Sequence, residues 1–366
     1  MNQYISQIIE EELVISKATS HPEESKYTYL PDGRLLLSDG TAVANTMTTN
    51  FLGYNIQKEP LCGAANGQKI QQRIVGNYYC GQSDSLYSLQ DSLSTFLQTE
   101  DTQIFGSYEA LCADIMESLL NTGDVIIYDS AISLPMRRGI KSCQADKMRF
   151  PHNDMDKLEQ QLKLSIMKRI KVILTDGIFF DSGDCARLQY IRQLAINYDA
   201  IVIIDDSYGF LTCGKNGRGA DEHCGVRGFQ DLKIINMQNA LCCSSGVIVS
   251  GNKNLIQLLK LRSRCYRHSV CISEYDTATA AAILGDIKLS TARIEQMHAK
   301  ANLLADKLKK LGFQCEKPAA GIVSFVSEFS ADKIKNILKD NGLIAQYSKV
   351  GKNTLVSFKV SANCEY

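Results

Sequence analysis

Four short apolar runs, each closed by an acidic or amide side chain, constrain this chain more than any other feature. Residues 125–128 (VIIY) run into Asp129, 172–175 (VILT) into Asp176 and 200–204 (AIVII) into Asp205, while Ile234 and Ile235 lead to Asn236. Runs that are continuous rather than alternating, and rich in β-branched residues, suit strands buried on both faces. Between them residues 184–198 set Leu188, Ile191 and Leu194 or Ala195 at helical spacing. Strands separated by helices predict an α/β fold with a mostly parallel sheet covered on both sides. Ligands of such folds bind at the carboxyl ends of the strands. Those ends repeatedly carry polar residues here: Asp129, Asp176-Gly177, Asp205-Asp206-Ser207 and Asn236.

Away from this block the pattern changes twice. Residues 1–55 form an arm, with helix-forming residues 6–16 followed by turns at Asp32-Gly33 and Asp39-Gly40. A glycine-rich stretch occupies residues 75–81. Past residue 280, Ile294, Met297, Ala301, Leu304, Leu308 and Leu311 make a helical stripe that stops at Gly312. After Pro318 come an apolar run (GIVSFVS), a helical segment (SADKIKNILKDNG) and a second run (NTLVSFKVS), a small C-terminal α/β domain. The expected organisation is therefore an arm over 1–55, a large domain over 56–285, and a connector helix with the small domain over 286–366. With 366 residues, 45% of them hydrophobic, the chain can build cores for both.

Composition excludes several classes of function. Forty basic and forty acidic residues leave no net charge to draw the chain to nucleic acid or an anionic membrane. Thirteen cysteines without C-x-x-C pairs suit reduced thiols in the cytosol. No metal site is expected, because His223, Cys224 and Cys213 match no finger or ribbon spacing. The first residues carry no signal-peptide pattern, and no window reaches the roughly 18 apolar residues of a membrane helix.

Five motifs, in order, carry a resemblance: TTNFLGYN (48–55), FPHNDMDKLEQQL (150–162), LTDGIFFDSGDCARL (174–188), IIDDSYGFLTCGKNGRG (203–219) and DLKIINMQNAL (231–241). Together they resemble the α-oxoamine synthases, pyridoxal-phosphate (PLP) enzymes of the aspartate-aminotransferase fold (PLP fold type I) that join an amino acid to an acyl-CoA. The family needs a lysine to hold PLP as an imine and a carboxylate on the pyridinium nitrogen. By the resemblance, that carboxylate is Asp205, in the family's D-x-x-H motif, whose histidine is Tyr208 here. The ring-stacking histidine falls at Ser133, the phosphate-holding threonine at Asn236 and the lysine at Asn239. The substrate-carboxylate arginine falls at Ser357. An amide nitrogen, its lone pair delocalised into the carbonyl, forms no Schiff base. No catalytic residue is therefore expected in this chain, and Asp205, Tyr208, Asn236 and Ser133 stand as vestigial cofactor positions. Lys233 lies six residues before Asn239, on the strand rather than in the turn.

Within the family the chain is similar to the non-catalytic first long-chain-base subunits of serine palmitoyltransferase, whose turn reads NMENAL where this one reads NMQNAL. PHNDM and GKNGRG point the same way. The resemblance implies a heterodimer with the second long-chain-base subunit. That partner would bind PLP covalently, and the pair would condense serine with palmitoyl-CoA to 3-ketosphinganine. Ser133, at the start of a helix bearing Arg137 and Arg138, is a candidate interface position. The expected location is the cytosol, at the face of the endoplasmic reticulum through the partner. Two other classes stay open: an active PLP-dependent synthase using another lysine, and a non-catalytic scaffold in lipid regulation.

Overall fold

A computed structural model describes residues 27–30, 34–37, 39–44, 46, 48–53, 82–310, 312–315, 318–340 and 342–363. The helical segment 6–16, the Asp32-Gly33 turn, the glycine-rich residues 75–81, Leu311 and the end of the first motif (Tyr54, Asn55) lie outside them.

Three strands open the described chain: β1 (Tyr27–Tyr29), β2 (Leu35–Leu37) and β3 (Ala42–Val43) form an antiparallel sheet. The turn at Asp39-Gly40 joins β2 to β3, with Gly40 at φ +85°, a backbone conformation glycine adopts without penalty. This arm continues onto the C-terminal part of the chain, where Ala44 pairs with Leu343 and the Lys359 amide donates to the Thr46 carbonyl at 2.7 Å.

The large sheet has seven strands: β4 (Asp101–Phe105), β5 (Val125–Asp129), β6 (Asp146–Phe150), β7 (Lys171–Asp176), β8 (Ile201–Asp205), β9 (Leu232–Asn236) and β10 (Val247–Gly251). Their spatial order is β4-β10-β9-β8-β7-β5-β6, with β10 antiparallel to both neighbours and β9, β8, β7, β5 and β6 parallel. The expected mostly parallel α/β sheet is the one observed. Successive side chains point to opposite faces of a strand, so each run feeds two cores. Ile126, Val172, Leu174, Ile203 and Ile234 meet helices α2 (Tyr108–Leu119), α3 (Leu134–Ser142) and α7 (Lys253–Arg262) on one side. Val125, Ile127, Ile173, Val202 and Ile204 meet α4 (Met155–Leu164) and α5 (Leu188–Tyr198) on the other. A third cluster packs α1 (Asp84–Leu97) and α9 (Glu274–Gly285) on Ile104, Ile235 and Ile248.

Side-chain caps start several of these helices. Ser83, Ser107, Asp154, Asn252 and Ser273 each accept a hydrogen bond from a first-turn amide, satisfying a donor that the helix leaves open. Two short helices, α6 (Ala220–His223) and α8 (Arg264–His268), complete the large sheet's surroundings. The connector is α10 (Ile287–Lys310), and Gly312 follows it at φ +90°. Beyond it, β11 (Ile322–Ser327), α11 (Ala331–Asp340), β12 (Gln346–Val350) and β13 (Asn353–Lys359) form a small antiparallel sheet, ordered β11-β13-β12, with its own core. Among the described residues no helix is long and apolar enough to cross a membrane.

Candidate functional site

Four neighbouring strands present their carboxyl ends to one place: Asp129 from β5, Asp176 from β7, Asp205 from β8 and Asn236 from β9. Asp176 and Asp205 sit side by side in register and are both buried. Burial raises the proton affinity of Asp176, and the Asp205 charge beside it adds to the rise. Burial also raises Asp205, against the hydrogen bonds from Ser207 and Tyr108 that favour its charged form.

Each acid has its own donors. Asp176 accepts from the Ser133 amide at 3.1 Å. Asp129 accepts from the Asn153 amide at 2.9 Å and the Ala131 amide at 2.8 Å, and meets His152 Nδ1 at 3.1 Å. His152 reaches Asp184 with Nε2 at 3.2 Å, so the PHNDM motif ties β5 to the loop after β7. Burial opposes charge on His152, but these two carboxylates outweigh it and raise its pKa to about 9.

Asp205 is the centre of the site. Its Oδ1 accepts from the Ser207 amide at 3.1 Å and the Ser207 hydroxyl at 2.5 Å. Its Oδ2 accepts a short hydrogen bond from the Tyr108 hydroxyl, with the Ser133 hydroxyl at 3.5 Å. Tyr108 and Ser133 also share a hydrogen bond at 3.0 Å. Ser133 immediately precedes α3 without a side-chain bond to its first-turn amides, and Pro135 lies in that first turn. Arg137 donates to the Ile132 carbonyl at 2.9 Å, and Arg137 and Arg138 are both exposed.

The remaining positions surround this centre unequally. Asn239 is buried, and its amide donates to the Ser207 carbonyl at 3.0 Å, which locks the turn after β9 onto the turn after β8. Tyr208 stacks on Phe180, ring centroids 4.9 Å apart and tilted 34°, with its hydroxyl near Asn239. Asn236 joins the site through its backbone: its amide donates to the Ser207 hydroxyl at 2.9 Å, while its side-chain oxygen accepts from the Gln238 amide at 3.1 Å and closes a local turn. Ser357 accepts from the Lys359 ammonium at 2.9 Å. Lys359 also donates to the Phe180 carbonyl at 2.7 Å, and its Nζ lies 4.2 Å from the Phe180 ring centroid. Burial lowers its pKa to about 7.

Lys233 is fully committed elsewhere. Its ammonium meets Asp221 at 2.5 Å, Asp206 at 3.1 Å and the Arg218 carbonyl at 2.8 Å, all away from Asn239's turn. Burial works against that charge, but the two carboxylates more than offset it and hold the amine protonated. Glycines make room for this triad: a Cβ on Gly219 would lie 1.8 Å from Asp206 Oδ2, and one on Gly209 would lie 2.0 Å from Oδ1. The end of the GKNGRG segment, Arg218-Gly219, thereby packs against a buried ion cluster. Among the described residues, no group of three or more His, Cys, Asp or Glu side chains is placed to hold a metal ion.

A pyridoxal ring held in the manner the resemblance implies would need an oxygen of Asp205 for its nitrogen. It would also need a flat group at position 133 and an amine at position 239. Here both Asp205 oxygens are taken by the protein's own donors, position 133 is a serine, and position 239 is an amide engaged with backbone. The residues present do not fit the group. The structure gathers Ser133 at Asp205 and Asn239 beside Tyr208, and adds Tyr108 and Lys359, which no motif marks. Ser107, whose side chain accepts from the Ala110 amide, marks a helix start at Tyr108, but nothing in the sequence links that position to Asp205.

Comparison with known proteins fits this architecture. A model of the class I and II aminotransferases matches residues 64–349. The 8-amino-7-oxononanoate synthase of Thermosipho melanesiensis is 30% identical over 332 residues, covering 87% of this chain and 84% of that one. The 2-amino-3-ketobutyrate coenzyme A ligase of Escherichia coli K12 is 29% identical over 295 residues, covering 80% and 74%. Among solved structures, the serine palmitoyltransferase of Sphingomonas wittichii superposes with a TM-score of 0.86 at 18% identity, covering 99% of this chain and 93% of that one. A serine palmitoyltransferase from S. paucimobilis, holding a PLP–myriocin aldimine, superposes with a TM-score of 0.84 at 19% identity, covering 98% and 92%. At those identities the structural likeness is one of fold. The chain belongs to the class I and II aminotransferases and, within them, to the α-oxoamine synthases.

Proposed function

We propose that this chain is the subunit of a heterodimeric serine palmitoyltransferase that lacks the Schiff-base lysine. It would pair with a second long-chain-base subunit that carries the lysine and its PLP. The pair condenses serine with palmitoyl-CoA to 3-ketosphinganine, releasing carbon dioxide and CoA. This chain's contribution is to complete and stabilise the partner's pocket, with the α3 start at Ser133 facing it, and the partner brings the complex to the endoplasmic reticulum. The observation that carries the reading is Asn239, buried and bonded to Ser207, at the lysine's position in a turn that reads NMQNAL. The loss of the ring-stacking group at Ser133 and of the arginine at Ser357 supports it, since one drifted residue would not remove three separate contacts.

Co-purification tests this. A tagged chain is expected to recover a lysine-bearing paralogue at equal stoichiometry, and the paralogue alone is expected to be inactive with serine and palmitoyl-CoA. A paralogue fully active alone rejects the subunit reading and leaves the regulatory scaffold. One observation favours a second reading, an active synthase with a substitute lysine: the Lys359 amine has a pKa near 7 and touches Ser357. That reading expects the purified chain alone to show the visible absorbance of an internal aldimine, fixed onto Lys359 by borohydride.

A further inference from the structure

The carboxylate that would meet a cofactor nitrogen is already met by a side chain of this protein. The Tyr108 hydroxyl bonds Asp205 Oδ2 and, at 3.0 Å, Ser133. It thus lies between the residue at the cofactor-nitrogen position and the residue at the ring-stacking position. Tyr108 is the first residue of α2, directly after the Ser107 cap, and its ring packs against the core cluster that contains Leu111, Ile126 and Val172. The helix start and the core hold the ring where it is. On the other oxygen, Ser207 bonds through both its amide and its hydroxyl, leaving Asp205 with its strong acceptor directions filled. A buried carboxylate deprived of such donors is costly, which gives Asp205 a reason to remain bonded in a chain without the lysine.

We infer that Tyr108 is an internal substitute for the cofactor ring, its phenol closing the Asp205 pocket against PLP. The inference concerns this chain's own pocket and does not depend on whether a catalytic partner exists. Seating a pyridine ring on Asp205 would first break a charge-assisted hydrogen bond and displace a packed ring, a penalty on the order of tenfold or more in affinity.

The test uses the full chain and pyridoxine 5′-phosphate, which has the ring and phosphate but no aldehyde, so that adducts with surface lysines do not contribute. By titration calorimetry the wild-type chain is expected to show no saturable binding that Asp205→Ala removes. Tyr108→Ala is expected to gain binding by at least roughly tenfold, and the added Asp205→Ala change to abolish it. One equivalent bound by wild type and lost in Asp205→Ala overturns the inference. A folded Tyr108→Ala chain that gains nothing also overturns it. Should Tyr108→Ala fail to fold, Tyr108→Phe keeps the ring and removes only the hydroxyl. Its melting temperature is expected to fall by roughly 2–6 °C, and an unchanged value contradicts the proposed bond.

Discussion

Asn239 contributes a hydrogen bond where the family's chemistry would use an amine. Its amide satisfies the buried Ser207 carbonyl, so the residue has become part of the turn's structure. Asn239→Lys is therefore expected to restore nothing alone: Ser133 still offers no stacking face, and Tyr108 still occupies Asp205. Incubation with PLP and borohydride, followed by peptide mass mapping, should find no adduct at position 239. The same variant is expected to lose about 1–3 kcal/mol of stability by urea denaturation, because the Ser207 carbonyl loses its donor. Asp205, Tyr208 and Asn239 were legible because each sits in one of the ordered motifs, and Ser133 because residues 123–139 align between two of them. Tyr108 was invisible to that reasoning because its bond to Asp205 spans 97 positions and depends on how α2 enters the sheet's edge.

The elements legible in the sequence were those with a single environment. β5, β7, β8 and β9 are buried on both faces and read as continuous apolar runs within a residue or two of their observed bounds. β6 and β12 were not legible because edge positions leave their residues mostly exposed or half-buried, so DKMRF and QYSKV carry no apolar pattern. β10, the strand that makes the sheet mixed, was missed for another reason: its run VIVSG gives no sign of direction. The β8–β9 region also conceals an electrostatic device. Lys233 on β9 joins Asp206, after β8, to Asp221 on α6. Lys233→Met strands two buried carboxylates and is expected to cost about 3–5 kcal/mol, measured by chemical denaturation. A loss below roughly 1 kcal/mol would mean that the triad is not formed.

At the scale of the whole molecule two groups give opposite pH dependences. His152, raised from 6.5 to about 9, contributes stability that is complete below pH 6.5 and is lost as pH rises through 9. Lys359, lowered from 10.5 to about 7, stays neutral in the folded chain over a range where the unfolded chain is charged, so its contribution rises between pH 7 and 10.5. Over pH 7–9 the two partly cancel in the wild type. Lys359→Met is expected to leave the falling limb and His152→Asn the rising one, each changing the slope by up to about 1.4 kcal/mol per pH unit in unfolding measured at pH 7, 8 and 9. Identical slopes in the two variants would contradict the assignments.

The described residues have the fold of a family of enzymes and, at their central carboxylate, a site filled from within. The chain's function as proposed lies in a partner's pocket rather than in its own. The most direct measurement is a count of cofactor in the purified complex with the lysine-bearing paralogue. After borohydride reduction and mass mapping, one PLP per two chains is expected, attached to the partner. PLP fixed to this chain, or two equivalents per heterodimer, would contradict it.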